Sequence, residues 1–240
     1  NIFAQIGNGL EGSYKPTSTA IIPVRESYPG FEGVPYREIH GSSLLERAIQ
    51  SAAEARVVTQ VIVSSQSQRV LDFAADLEAQ GKVPTHARLL RGDSLVNTTQ
   101  LPIWDIMLQA GQFHEELTGS GPDIVMFLSI HALNRRAEHI DKAINVLRIT
   151  DSDSVVSVKE EREPIFSHGP NGLQLINPGR FQGLAYDRER LYSFNGAIVG
   201  VWWQILQNGS FLGEKISYVE MSAQDSIQVK NSAQARQYLG

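Results

Sequence analysis

Ala20-Ile21-Ile22-Pro23-Val24 is a short, uninterrupted apolar run. Such a run reads as a strand buried on both faces, not as one with a wet side. Working outward from it, a turn-rich loop covers residues 25–41, punctuated by Pro29, Gly30, Gly33 and Pro35. Next comes a helical pattern in which Leu44, Leu45, Ala48, Ile49, Ala52 and Ala53 recur at helical spacing, with Ser42 as the expected cap. Residues 57–65 read as a strand, 69–80 as an amphipathic helix and 86–90 as a weak strand. Residues 101–117 read as a helix, with Pro102 tolerable only in its first turn. Residues 123–130 form the strongest buried-strand signal, and 137–147 a further helix.

Strands alternating with helices of ten or more residues predict an α/β fold. The expectation is a three-layer arrangement, a mainly parallel twisted sheet with helices on both faces. After Ser154 the rhythm changes. Val155-Val156-Ser157-Val158 reads as a strand, a stretch rich in Gly, Pro and Arg runs to Tyr192, and the chain re-enters the core at Asn195 to Trp202. The middle stretch, about residues 160–190, reads as an excursion from the main domain. Residues 1–17 lack periodicity and read as a leader or linker, which leaves 18–240 as a single domain.

Composition narrows the function classes. With 240 residues, 42% of them apolar, the chain can bury a full core. Its net charge of -5 argues against a nucleic-acid backbone or an anionic membrane as principal partner. No apolar stretch has the length of a spanning helix. There is no cysteine, which excludes disulfides, thiolate metal sites and a cysteine nucleophile. The simple compartment expectation is a reducing cytoplasm. The chain opens at Asn1 instead of Met, as expected of a segment of something longer. Asp151-Ser152-Asp153 matches a D-x-D pattern but precedes a strand, at the wrong edge of a sheet for a ligand, and reads as a turn.

Five segments, in order, carry a family resemblance. They are Ile21-Ile22-Pro23-Val24-Arg25, Gly41 to Ile49, Val61-Ile62-Val63-Ser64-Ser65, Asp153 to Val158, and Asn195-Gly196-Ala197-Ile198 with Gly209-Ser210-Phe211-Leu212-Gly213. Together they resemble the acylneuraminate cytidylyltransferase family, the CMP-sialic acid synthetases and their relatives, over about residues 20–235. The resemblance implies a nucleotide-diphospho-sugar transferase-like fold and transfer of CMP from CTP to an acidic sugar, with release of pyrophosphate. It implies magnesium as cofactor if the chain is active, and a homodimer built on the 160–190 excursion. It also implies roles for single residues. Arg25 would meet the triphosphate, Ser64 and Arg135 would line the nucleotide site, and Asn195 with Gly196 would lie near the sugar.

The chain departs from the family pattern at three places. The G-G-S-K-G-x-x-x-K-N loop becomes Glu26 to Pro35, with Pro29 and Val34 in place of the lysines and Glu26 and Glu32 added. The Q-P-T-S-P-L-R segment becomes Ser129-Ile130-His131-Ala132-Leu133-Asn134-Arg135. The S-I-D-I-D-T signature, whose aspartates hold the family's magnesium, becomes Ser226-Ile227-Gln228-Val229-Lys230-Asn231. Mg²⁺ favours hard anionic oxygens, and an ammonium repels it. Replacement ligands would have to come from residues such as Asp93 and Asp225, or Lys230 would supply a fixed positive charge in the metal's place and join Arg25 as a catalytic residue. Two readings therefore stand: a divergent cytidylyltransferase, or a non-catalytic member acting as a binding, structural or regulatory domain.

Overall fold

The computed structural model describes residues 16–91, 103–177 and 190–238. Its centre is a seven-stranded sheet. In chain order the strands of that sheet are β1 (Ser18–Val24), β6 (Gln60–Ser65), β7 (Ala87–Leu90), β8 (Ile124–Leu128), β9 (Ser154–Glu161), β12 (Leu191–Trp202) and β13 (Ile216–Glu220). Two-residue hairpins occupy the loop after β1, as β2 (Ser27–Tyr28) with β3 (Phe31–Glu32) and β4 (Glu38–Ile39) with β5 (Ser42–Ser43). A longer hairpin, β10 (Ile165–Gly169) with β11 (Gly172–Asn177), belongs to the excursion.

The spatial order is β13-β9-β12-β8-β1-β6-β7. Only β12 runs against its neighbours; every other pairing in the sheet is parallel. Side chains alternate across the sheet, as the pleat requires. Ile21, Ile62, Val125 and Val201 face α3 (Ile103–Thr118) and α5 (Trp203–Gln207). Ala20, Ile22, Val24, Val61 and Val63 face α1 (Leu44–Ala53), α2 (Gln68–Ala79) and α4 (Ala137–Ile149). The expected three layers are therefore present, with helices on both faces of a mainly parallel sheet. A last short helix, α6 (Ser232–Gln237), follows the sheet.

Helix α1 starts one residue later than the sequence pattern suggests. Ser42 is held in the β4–β5 pairing opposite Ile39, so the cap passes to Ser43. Its hydroxyl accepts from Glu46 N at 3.1 Å, and the Glu46 carboxylate accepts from Ser43 N. This capping box satisfies two otherwise orphaned amides. The buried Leu44, Leu45 and Ile49 then each contribute about 1.5–3 kcal/mol.

The adjacent Trp202 and Trp203 take opposite layers. Trp202 ends β12 half-buried, its indole N–H donating to Ser152 O at 2.9 Å. Trp203 opens α5 and lies so close to Gly111 and Gly121 that a Cβ at either would overlap its ring. Asp151 adopts a left-handed conformation, and the Asp153 carboxylate accepts from Glu214 N and Lys215 N. The D-x-D stretch is thus a turn at the amino end of β9. Of the excursion, residues 178–189 lie outside the described residues, as do most of 1–17.

Candidate nucleotide site

The sheet builds its crevice where its strand order reverses. Successive crossovers run from β1 to β6 and β7 on one side, while β8 returns to the other side of β1. The β1–β8 ladder stops at Ile21–Phe127, whereas β1 stays paired with β6 as far as Val24–Ser65. Beyond Ile21 the two central strands part. Pro23, which has no N–H to give, sits past the end of the β8 ladder and removes no bond from it. Open α/β sheets place ligands at the carboxyl ends of strands, at such a switch point.

A cavity of about 660 Å³ occupies that position, a volume typical of a small-molecule site. Pro23 and Arg25 follow from β1, Arg91 from β7, and Phe127, Ser129 and His131 from β8; Ile106 of α3 and the β2–β3 hairpin complete the lining. Arg91 is the residue that sequence reasoning missed. Its amide donates to Ser65 O at 2.8 Å, extending the sheet by one bond and turning its side chain inward. It is 7% exposed, and its Nε has no acceptor among the described residues. Burial, then the charge of Arg25, pushes its guanidinium below the ordinary range. The available signal was an arginine directly after a parallel strand, the same placement as Arg25.

Tyr28 is the spacer between the cations and the opposite wall. The Arg25 guanidinium lies 5.9 Å from the centre of its ring, and His131 meets the ring edge-on at 4.6 Å. Burial raises the Tyr28 phenol above its ordinary value. His131 Nδ1 is 2.8 Å from Val229 O, so this nitrogen carries the donated proton. Burial first, with the nearby Lys230 charge opposing protonation, lowers the His131 pKa.

The acidic loop is rearranged more favourably than its composition suggests. Glu26 turns away from the cavity to Arg69 at 3.0 Å and Ser67 at 2.9 Å. Of the loop carboxylates, only the exposed Glu32 remains among the residues lining the crevice.

The other residues expected from sequence divide clearly. Ser64 is fully buried beside Pro23, its hydroxyl without a partner among the described residues, and it does not line the cavity. Arg135 is also away from the lining. Its guanidinium is buried, donating to Ser129 O at 2.7 Å, Ala197 O at 3.2 Å and Ser51 Oγ at 3.2 Å. Burial pulls its pKa down to about 9. It fastens the end of β8 to β12 and α1, and it is not among the residues lining the cavity. The Asn195 carboxamide accepts from Ser157 Oγ at 2.5 Å and Ala197 N at 3.1 Å and donates to Ser226 Oγ at 2.9 Å. Gly196, at φ 73, gives the local break in the β12–β9 register a conformation that suits glycine. Both sit at the same sheet edge as the crevice, because β12 is reversed.

Residues 227–229 zip alongside 131–133. Leu133 N donates to Ile227 O at 3.2 Å, and Val229 N donates to His131 O at 2.9 Å. The family's metal segment therefore lies against the cavity wall, but with altered chemistry. Gln228 Nε2 is buried with no acceptor among the described residues. Lys230 is exposed. Asp225, the alternative ligand, is held by Arg136 at 2.9 Å and Ser222 at 2.8 Å, with His139 at 3.6 Å. Among the described residues no three His, Cys, Asp or Glu side chains gather in a way that could hold a metal ion. An unpaired amide N–H and an ammonium do not fit magnesium at the family's position. Asp93 lies outside the described residues.

Parallel strands converge on an arginine-lined crevice in an α/β protein, and comparison with known proteins shows what the chain is similar to. Residues 19–97 match the cytidylyltransferase family model. A curated relative, the CMP-N,N'-diacetyllegionaminic acid synthase of Legionella pneumophila subsp. pneumophila (strain Philadelphia 1), is 28% identical over 200 residues, covering 81% of this chain and 82% of its own. Over residues 19–97 the chain is thus similar to the cytidylyltransferase family, and over most of its length it is distantly similar to this synthase. Among solved structures it is similar to a CMP:2-keto-3-deoxy-manno-octonic acid synthetase complexed with CTP (TM-score 0.61, 16% identity, 92% of this chain and 96% of that one). It is also similar to a 4-diphosphocytidyl-2C-methyl-D-erythritol synthase from Anaerococcus prevotii DSM 20548 (TM-score 0.65, 14% identity, 94% and 95%). At such identities the likenesses speak to the fold, which is nucleotide-diphospho-sugar transferase-like. No helix among the described residues is long and apolar enough to cross a membrane.

Proposed function

We propose that the crevice binds CTP and that the chain transfers CMP from it to an acidic sugar, releasing pyrophosphate. The observation that carries this reading is the pair Arg25 and Arg91 at the strand-order reversal, two cations that enter none of the ion pairs among the described residues. Arg25 and Arg91 bind the phosphates, Tyr28 and Phe127 supply apolar surface, and Arg135 and Asn195 hold the sugar-side wall in shape. The name of the Legionella relative, an acidic-sugar CMP synthase, supports the acceptor class. The exposed Phe166, Leu173, Leu175 and Ile176 of the β10–β11 hairpin support a homodimer formed through the excursion.

A second reading has its own observation. Gln228 and Lys230 at the family's metal positions favour a domain that binds nucleotide without transferring it. Calorimetric titration with CTP, UTP and ATP, followed by a pyrophosphate-release assay over a panel of acidic sugars, separates the two. Binding selective for CTP with pyrophosphate release supports the transferase. Selective binding without release supports the non-catalytic domain, and no binding removes both.

A further inference from the structure

The disagreement between this site and magnesium has a sharper consequence, which rests on the reading of the crevice as a CTP site. We infer that the crevice takes the nucleotide's phosphates without a divalent cation, their charge being met by Arg25, Arg91 and Lys230.

A phosphate chain carries several negative charges at neutral pH. It is a polyanion, and a protein stabilises it with cations and N–H donors, or with a metal that is itself held by carboxylates. The metal route is poorly provided for here. Gln228 presents a neutral amide whose nitrogen is buried without an acceptor among the described residues. Asp225 is the nearest carboxylate in sequence, and it is engaged by Arg136, Ser222 and His139. Glu26 is engaged by Arg69 and Ser67.

The cation route is well provided for. Arg25 and Arg91 line the crevice from the β1 and β7 ends. Lys230, exposed and not itself a lining residue, directly follows the segment 227–229 that is bonded to 131–133, and His131 of that wall lines the crevice. Its charge is felt at the His131 imidazole. None of the described ion pairs includes Arg25, Arg91 or Lys230. Two lining arginines, with Lys230 beside the His131 wall, stand against one lining carboxylate, Glu32, and the charge of Asp105 near Arg91. A dication entering this arrangement would be repelled by Lys230, whereas a phosphate oxygen would be attracted by it. The buried Gln228 N–H adds a donor to the same wall, again suited to an anion and not to a metal.

The test is calorimetric titration of the whole chain with CTP, once in EDTA and once with millimolar Mg²⁺, with Mg²⁺ alone as a third titrant. The expected result is CTP affinity equal within about twofold in the two buffers and no heat from Mg²⁺ alone. Lys230→Ala should weaken CTP in both buffers by about tenfold, the loss of one charge-assisted contact. The double variant Gln228→Asp with Lys230→Asp should make binding dependent on Mg²⁺, with affinity in EDTA falling more than about tenfold. CTP binding by the unaltered chain that requires Mg²⁺ would overturn the inference and leave the CTP reading intact. Failure to bind CTP in either buffer would remove the CTP reading, and the inference with it.

Discussion

The crevice has one wall from the first half of the chain and one from the second, and the two treat their polar groups differently. On the β1 and β7 side, Arg25 and Arg91 project into the cavity, and the Nε of Arg91 is unmatched among the described residues. On the β8 and β12 side most polar groups are already bonded: Arg135 to two carbonyls and Ser51, Asn195 to Ser157 and Ser226, Asp225 to Arg136 and Ser222. A wall that keeps unsatisfied donors is prepared for a ligand, since burying such groups unpaired costs free energy. The bonded groups of the second wall hold its shape and leave Gln228, whose buried amide N–H has no acceptor among the described residues, as its exception. Matching a family's site residues by sequence does not distinguish the two; hydrogen-bond partners do.

That contrast can be broken by experiment. The largest expected effect is on the second wall. Arg135→Ala should lower stability by about 3 kcal/mol, because a buried side chain that ties three elements is removed and the Ser129 and Ala197 carbonyls each lose one of two donors. Chemical denaturation measures it, and an unchanged midpoint with lost CTP affinity would reverse the assignment of the two walls. On the first wall, Arg91→Ala should weaken CTP by roughly 10–100-fold, about 1.5–3 kcal/mol, with little change in stability. A fall in melting temperature without a fall in affinity would make Arg91 a structural residue instead.

A smaller effect concerns acid. His86, His114, His131 and His139 all have pKa values lowered by burial. For a histidine whose folded pKa lies below its unfolded value, the unfolded chain binds more protons between the two, so stability rises with pH there. It is full above the ordinary value of 6.5 and declines as pH falls below it. Urea midpoints at pH 7.5 and pH 5 should show the decline, and His114→Gln should reduce it, His114 being bonded to Thr19 inside the sheet. A midpoint unaffected by this pH change would contradict the buried neutral state. The smallest effect is Glu26→Gln, which should change CTP affinity by less than about twofold and stability by less than about 1 kcal/mol, as for an exposed ion pair. A marked tightening of CTP would mean that Glu26 faces the phosphates after all.

The fold was legible because buried parallel strands announce themselves locally. Ile21-Ile22 and Ile124 to Leu128 have no polar alternation, and the helices between them carry clear apolar faces. Arg25 was legible for the same reason, since it directly follows a strand that could be located. Arg91 was not, because β7 is a short edge strand, half exposed and weakly patterned. The inward turn of Arg91 depends on a bond to Ser65 from another strand. The loop's acidity was misleading in a similar way. Composition shows Glu26 beside Arg25, but the partner that neutralises it, Arg69, is 43 positions away. The burial of Arg135 was not legible, because it is a property of three elements meeting, which no local pattern records.

The reversed strand β12 has a further consequence. Leu191, at its start, pairs with Glu161 at the end of β9, so the excursion leaves and rejoins the sheet at one point, on the edge that carries the crevice. Lengthening such an insertion costs little, about 0.6 kcal/mol per doubling of loop length. Its two stems are anchored by the sheet whatever lies between them. New segments can therefore be added at this edge of the sheet without renegotiating the core.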